Sequence, residues 1–184
     1  MMGDRQSGLC VIAPTSEDTE SCGAALAPLV KPGDTVLLSG DLGTGKTTFT
    51  QGLARALGVE GPVTSPTFVL VHSYHTKAGW DLLHADVWRV EQLQEVVDLA
   101  IPELVEEGAA AVIEWGERAA PALARDCLHV TIEFADASAA TPPAPGAGAS
   151  PVGPGGPRRL QFRAEGPNWQ ERVRQLSDRL AKGS

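Results

Sequence analysis

Residues 40–47 read Gly-Asp-Leu-Gly-Thr-Gly-Lys-Thr, in which two glycines flank four residues and are followed by a lysine and a hydroxyl residue. This spacing is the phosphate-loop pattern. Glycines here let several backbone N–H groups converge on phosphate oxygens, where a Cβ would obstruct them. We expect Lys46 to reach the β and γ phosphates of a nucleoside triphosphate and Thr47 to offer its hydroxyl to Mg²⁺. The predicted nucleotide contacts in this segment are Asp41, Leu42, Gly43, Thr44, Gly45, Lys46, Thr47 and Thr48.

The sequence around this loop supplies the strand and the helix that the motif requires. Ahead of the loop, residues 34–39 are largely apolar and β-branched and follow a Pro-Gly turn, as expected for a buried parallel strand. Behind it, Phe49, Leu53, Ala56 and Leu57 recur at helical spacing, and Gly58 is a suitable C-terminal stop. The N-terminus of that helix would point its positive dipole end at the phosphates. A Gly-rich turn that fits the pattern by chance is therefore the weaker interpretation.

The formal net charge of −8 limits the partners of this chain. Proteins that wrap nucleic acid unaided carry a basic face that displaces counterions, so strong independent nucleic-acid binding is disfavoured.

There is no run of eighteen apolar residues and no basic-plus-hydrophobic leader, and we expect a cytoplasmic protein that does not enter the membrane. The three cysteines, at positions 10, 22 and 127, are expected to be reduced and buried.

Apolar periodicity places the remaining elements. Strands are predicted at 9–13, 68–74, 80–85, 109–113, 128–134 and 160–163, and helices at about 14–30, 91–99, 102–107 and 168–180. The strands at 68–74 and 80–85 should form a hairpin, and the strand at 160–163 should pair antiparallel with 128–134. Leu93, Val96 and Val97 are expected to face inward from the acidic helix.

The length of 184 residues predicts a single domain, 1–184, with one segment of biased composition inside it. Residues 137–157 are dominated by Ala, Pro and Gly and carry no charge. Such a segment buries too little apolar surface to offset its own ordering entropy, and we predict a disordered hairpin tip. A Pro-rich recognition segment is less favoured, because alanine and glycine interrupt a polyproline helix.

Two carboxylates follow apolar strands, and either could be the acidic partner with which a phosphate loop holds Mg²⁺. Leu-Leu-His-Ala runs into Asp86, and Ala-Ala-Val-Ile runs into Glu114. The sequence leaves the division of labour between the two open. Residues 64–67, Thr-Ser-Pro-Thr, resemble a switch segment, because hydroxyls on a proline-bounded loop can reach Mg²⁺ or the γ phosphate. Trp115 either packs beside the nucleotide or closes the core.

The sequence favours ATP over GTP as the nucleotide. Small GTPases select guanine with a tetrad that ends in Lys-X-Asp, and the nearest string here, Thr-Lys-Ala-Gly at 76–79, has glycine at the aspartate position. A zinc site at His72 and His75 is not expected, because the pair has no further ligands nearby in sequence.

Four motifs, in their order and spacing, resemble the TsaE family, formerly called YjeE. They are Gly-Asp-Leu-Gly-Thr-Gly-Lys-Thr-Thr at 40–48, Ser-Pro-Thr-Phe at 65–68, His-Ala-Asp-Val-Trp-Arg at 84–89 and Val-Ile-Glu-Trp at 112–115. The resemblance runs from about residue 9 to residue 134. The family's usual pattern around the aspartate is His-Phe-Asp-Leu-Tyr-Arg, so Ala85, Val87 and Trp88 are departures that keep the aspartate and the arginine.

The resemblance implies an α/β fold, namely a P-loop NTPase-type three-layer α/β/α sandwich with a mixed sheet. It also implies that Thr47, with Asp86 or Glu114, arranges Mg²⁺ around ATP, and that Trp115 belongs to the nucleotide site. Glu114 is in addition a candidate for orienting the attacking water. The expected catalytic residues are Lys46, Asp86 and Glu114, and the expected metal ligands are Thr47, Asp86 and Glu114.

The family is a bacterial ATPase of tRNA threonylcarbamoyladenosine synthesis, which implies that TsaB and TsaD are partners. TsaD transfers a threonylcarbamoyl group to adenosine 37 of tRNAs that read codons starting with A, and this chain would hydrolyse ATP to reset the assembly. Because the net charge of the chain is negative, we expect it to contact tRNA only through those partners. We expect slow turnover by the isolated chain, because no built-in arginine finger is evident and partners often complete such sites.

Two other functions stay open at the level of sequence. A small P-loop kinase would share the phosphate loop, but it needs an acceptor pocket and a lid that carries several arginines, and no Arg-rich segment lies between the core strands. A nucleotide-gated binding module would switch shape without meaningful hydrolysis, and it differs from an ATPase mainly in rate.

Overall fold

A computed structural model of the chain describes residues 8–66, 70–90, 93–119, 126–135 and 156–182. The predicted disordered tip at 137–157 lies outside the described residues except for its last two positions, and so do Thr67 and Phe68. Within the described ranges, no helix is long and apolar enough to cross a membrane.

Strands and helices alternate along most of the chain. The strands are β1 Gly8–Ala13, β2 Thr35–Ser39, β3 Val71–His75, β4 Asp81–Asp86, β5 Ala110–Glu114, β6 Cys127–Phe134 and β7 Arg158–Glu165. The helices are α1 Ser16–Leu26, α2 Lys46–Ala56, α3 Leu93–Asp98, α4 Ile101–Glu106, α5 Gly116–Ala119 and α6 Pro167–Lys182, with a 3₁₀ turn at Ala27–Leu29.

These strands form one mixed sheet in the order β1-β7-β6-β2-β5-β4-β3. Strand β2 lies parallel to β5 and β6, and β5 lies parallel to β4. The outer pairs β1–β7, β6–β7 and β3–β4 are antiparallel, as predicted for the last two. The carboxyl ends of β2, β4 and β5 therefore meet at one edge of the sheet, which is where ligands bind in open α/β sheets.

The sheet is covered on both faces. Val36 and Leu38 point to a core that includes residues of α1, α2 and α6, whereas Leu37 and Ile113 point to a second core that includes Ile101 of α4. This alternation follows from the two-residue period of a strand. The result is the three-layer α/β/α sandwich expected for this sequence.

Helices α1 and α2 approach each other closely at two glycines. A Cβ on Gly23 would lie 2.1 Å from the carbonyl oxygen of Phe49, and one on Gly52 would lie 1.9 Å from that of Glu20. Only glycine permits this backbone contact. It fixes the position of α2, the helix that begins at the phosphate loop.

Several sequence-based expectations need correction. The helix predicted at about 14–30 begins only after Thr15, whose side chain and that of Asp18 form a capping box, and its last turn is 3₁₀. Val97 is exposed rather than inward, because α3 spans fewer than two turns and cannot bury every apolar position. The side chains of Leu93 and Val96 lie outside the described part of the structure. Cys22 and Cys127 are buried as predicted, but Cys10 is exposed on the edge strand β1.

Candidate nucleotide-binding site

The phosphate loop joins the end of β2 to the start of α2, as the sequence predicts. Gly40 and Gly45 have φ angles of 132° and 109°, a region that L side chains rarely adopt. A Cβ on Gly40 would also lie 2.0 Å from the carbonyl oxygen of Ile132 in β6. The loop is thus held tightly against the end of β6, and its shape requires glycine.

The Lys46 side chain folds back over the loop that precedes it. Its Nζ donates hydrogen bonds to the carbonyl oxygens of Gly40 at 2.7 Å and Asp41 at 2.9 Å. The same Nζ lies 3.9 Å from the centroid of a Trp115 ring, within the range of a cation–π interaction. The ammonium group is therefore positioned at the mouth of the loop.

The charge on Lys46 is set by two opposing effects. Burial lowers the pKa of this lysine from its ordinary value, because desolvation disfavours the charged form. Four carboxylates oppose the shift and favour the ammonium, and they are Glu114, Glu117, Asp86 and Asp41. The site thus concentrates one buried cation among several anions, an arrangement suited to an anionic ligand that arrives with its own metal ion.

Thr47 and Glu114 meet at the head of α2. Thr47 Oγ1 donates a 2.7 Å hydrogen bond to Glu114 Oε1, and Nε2 of His84 lies 2.9 Å from the same oxygen. Glu114 is 4% exposed and His84 is fully buried. The register of the parallel strands explains the contact, because β5 pairs Glu114 with Leu38 of β2 on one side and with Asp86 of β4 on the other.

Asp86 lies one strand farther from the loop than Glu114 and has different partners. Its Oδ2 accepts a 3.1 Å hydrogen bond from the Ser65 hydroxyl, and its Oδ1 accepts a 2.9 Å bond from the backbone N–H of Trp88. Asp86 therefore connects the carboxyl end of β4 to the hydroxyl-rich segment at 64–66.

Two tryptophans form one wall of the site. The ring centroids of Trp88 and Trp115 are 4.2 Å apart with an interplanar angle of 39°. Trp115 has a φ angle of 62°, an uncommon conformation for a bulky residue. Trp115 lines the cleft and also packs against the second core, so it closes the core as one alternative predicted, while its packing beside a nucleotide stays a prediction.

These groups surround a cleft of about 390 Å³. Nine predicted site residues line it, and they are Leu42, Gly43, Gly45, Lys46, Thr47, Thr48, Asp86, Glu114 and Trp115. Asp41 and Thr44, also predicted, contribute differently. The Thr44 side chain is buried and donates to the carbonyl oxygen of Asp41, which also accepts from Lys46.

Sequence reasoning missed three residues at or beside this cleft. Trp88 lines it, and His84 contacts Glu114. His84 could have been found, because it is two residues before Asp86 in a strand and so shares its face. Arg158 is buried, and its Nε donates to the Thr44 carbonyl oxygen at 3.3 Å across 114 residues of sequence. No local pattern reveals a contact of that range.

Comparisons with known proteins point to one family for this chain. A sequence model of the family described as threonylcarbamoyl adenosine biosynthesis protein TsaE matches residues 13–141. The tRNA threonylcarbamoyladenosine biosynthesis protein TsaE of Streptomyces coelicolor is 43% identical over 115 residues, which cover 61% of this chain and 77% of that protein. Its namesake from Treponema pallidum is 39% identical over 121 residues, 66% of this chain and 88% of that protein. The crystal structure of Bacillus subtilis YdiB has a TM-score of 0.67 and 26% identity, and the match covers 98% of this chain and 99% of that chain.

Proposed function

This chain belongs to the TsaE family, and on that premise we propose that it is a Mg²⁺-dependent ATPase of tRNA threonylcarbamoyladenosine synthesis. It acts in the cytoplasm with TsaB and TsaD, in the threonylcarbamoylation of adenosine 37 in tRNAs that read codons starting with A. The observation that carries the proposal is the contact between Thr47 and Glu114 directly beside the phosphate loop and Lys46.

Binding of the ATP phosphates is supported by the shape and charge of the loop. Ile132 crowds Gly40 so closely that no side chain fits at this bend, and the backbone there stays uncovered. The first turn of α2 directs its N–H groups and its positive dipole end toward the cleft. Lys46 adds a positive charge, and its ammonium group donates hydrogen bonds to two loop carbonyls. A phosphate oxygen is a stronger acceptor than a carbonyl, so we propose that Lys46 exchanges those partners for the β and γ phosphates.

The donor set also suits Mg²⁺, which prefers hard oxygen ligands. We propose that the Thr47 hydroxyl and the Glu114 carboxylate hold the ion, directly or through water, because their oxygens are already 2.7 Å apart. The bound ion would neutralise charge on the transferred phosphate. Glu114 is then also the side chain best placed to orient the attacking water.

We assign Asp86 a different share of the work. Its oxygens are engaged by Ser65 and by the N–H of Trp88, so it completes the acidic set at the cleft while it holds the 64–66 segment in place. Loss of the γ phosphate would change the charge balance around this carboxylate and release Ser65. Such a segment can report the state of the nucleotide to a partner.

The family and the net charge support the proposed partners. A chain of net charge −8 is a poor tRNA-binding surface by itself, so we propose that TsaB and TsaD provide most of the contact with tRNA. We expect slow hydrolysis by the chain alone, because we propose that its partners complete the site.

The kinase alternative has less support. Among the described residues that line the cleft, Lys46 is the one basic side chain, whereas a kinase needs several cations around the transferred phosphate. Phosphate release that occurs only with an added small-molecule acceptor, and phosphorylation of that acceptor, would establish a kinase. ATP binding with no hydrolysis even beside both partners would instead favour the gated module.

The test measures the level of threonylcarbamoyladenosine in the tRNA of cells in which variants replace this chain. Lys46→Ala and Thr47→Ala should abolish the threonylcarbamoyladenosine of their tRNA, while the purified variants keep the wild-type circular dichroism spectrum. Lys31→Ala, at an exposed lysine outside the cleft, is the matched control and should leave the modification intact. Normal levels of the modified nucleoside in the Lys46 and Thr47 variants would exclude the assignment.

A further inference from the structure

His84 is a fully buried histidine in the middle of β4 that the proposed chemistry does not use. From its contact with Glu114 we propose that His84 is a positioning residue, which holds the Glu114 carboxylate in the orientation that receives the Thr47 hydroxyl and the metal ion. This inference rests on the proposed function, because it assigns Glu114 to the metal site.

The geometry places two side chains on one carboxylate oxygen. Glu114 Oε1 lies 2.9 Å from His84 Nε2 and 2.7 Å from Thr47 Oγ1. An ionised carboxylate only accepts hydrogen bonds, so Nε2 carries the proton in the contact with His84. The two contacts fix the position of Oε1 from two different elements, because His84 belongs to β4 and Thr47 to the first turn of α2.

Glu114 needs such a support because its side chain is long and buried. A glutamate loses considerable rotamer freedom when it is ordered, and a carboxylate removed from water is costly unless hydrogen bonds satisfy it. The imidazole of His84 is a rigid donor, and the sheet holds the backbone of His84 in place. Residues that orient metal-binding carboxylates in this way typically change metal affinity or activity by about tenfold to a hundredfold when they are replaced.

His84 reaches Glu114 with one particular nitrogen. Nδ1 of the ring is buried and has no hydrogen-bond partner among the described residues, so the ring is tied to the site through Nε2. Two amide substitutions distinguish the roles of these two ring nitrogens. A glutamine places its amide nitrogen near the position of Nε2, whereas the shorter asparagine places its amide nitrogen near that of Nδ1.

The test measures binding of Mn²⁺ to the purified full chain in the presence of ADP, by electron paramagnetic resonance. His84→Asn should weaken Mn²⁺ binding about tenfold to a hundredfold, while ADP affinity in EDTA stays within about twofold. His84→Gln should remain within about threefold of the wild type on both measures. Wild-type Mn²⁺ affinity in His84→Asn would overturn the inference, and so would an equal loss in both variants with unchanged thermal stability.

A measurement on the unmodified chain keeps the inference testable if His84→Asn does not fold. In a chain labelled with ¹⁵N-histidine, long-range ¹H–¹⁵N spectra should show the His84 ring protonated at Nε2. A ring protonated at Nδ1 alone would refute the hydrogen bond to Glu114. Failure of the wild-type chain to bind Mn²⁺ with ADP, alongside the expected His84 spectrum, would count against the proposed function and not against the contact.

Discussion

Removal of the Thr47 hydroxyl tests the metal site with little disturbance of the fold. Thr47→Ala deletes the oxygen that donates the 2.7 Å bond to Glu114, whereas Thr47→Ser retains it. Alanine is favoured over threonine within a helix by up to about 0.7 kcal/mol, which partly offsets the lost hydrogen bond. The loss of about 1.5–3 kcal/mol expected for a bond to a charged group is below a typical unfolding free energy of about 5–15 kcal/mol, so the variant should still fold.

The same hydroxyl has a larger effect on catalysis. In the proposed site it serves both Glu114 and Mg²⁺, so its deletion removes at least one interaction with a charged group from the transition state. A loss of about 1.5–3 kcal/mol corresponds to a decrease of roughly tenfold to 150-fold, at 1.4 kcal/mol for each factor of ten. We expect the upper part of that range for kcat/KM with ATP and Mg²⁺. The affinity for ATP in EDTA should change by less than about threefold, because the phosphate contacts of the loop remain.

Phosphate release, followed over a range of ATP concentrations at each of several Mg²⁺ concentrations, gives kcat/KM, and calorimetry in EDTA supplies the metal-free affinity. Thr47→Ser should stay within about fivefold of the wild type, because it keeps the oxygen ligand. Activity of Thr47→Ala within about threefold of the wild type at every Mg²⁺ concentration would refute the reasoning. Equal loss in the serine and alanine variants would also refute it, since the hydroxyl would then not be the operative group.

Three further predictions concern the surroundings of the site. Arg158→Ala removes the donor to the Thr44 carbonyl oxygen and should weaken ATP binding in calorimetry by about tenfold, and unchanged affinity would contradict that role. Gly52→Ala places a Cβ against the Glu20 carbonyl and should lower the free energy of unfolding in urea by about 1–3 kcal/mol, and a wild-type midpoint would show that α1 and α2 separate freely. The exposed Cys10 should be the one thiol that iodoacetamide labels in the native chain at pH 8, because burial raises the pKa of the other two thiols to about 11 and leaves roughly one thiolate in a thousand. Mass spectrometry counts the labels, Cys10→Ser is the control that should remain unlabelled, and a second label on the folded chain would contradict the burial.

The phosphate loop and its flanking elements could be predicted because each rests on local rules. The glycine spacing, the apolar strand before it and the helical repeat after it are all adjacent in sequence. The locations of Asp86 and Glu114 were also predictable, since parallel strands bring their carboxyl ends to one edge.

The different contacts of these two carboxylates could not be read from the sequence, because they depend on strand order. Strand β5 lies between β2 and β4, so Glu114 reaches Thr47 while Asp86 lies one strand farther away. Either order of β4 and β5 would satisfy the same apolar patterns. The order is decided by packing across the whole sheet.

Two other contacts were beyond sequence reasoning for related reasons. Arg158 meets Thr44 only because β7 returns beside β6, at a sequence separation that no local pattern spans. The exposure of Cys10 follows from the place of β1 at the edge of the sheet, since an edge strand leaves some alternate side chains without a neighbour.

The central claim is tested most directly by ATP hydrolysis of the purified chain, measured alone and then with TsaB and TsaD from the same source. We predict slow hydrolysis by the chain alone, strong stimulation by the pair, and loss of the stimulated rate in Thr47→Ala. Demonstrated ATP binding without any stimulation by TsaB and TsaD would contradict the account.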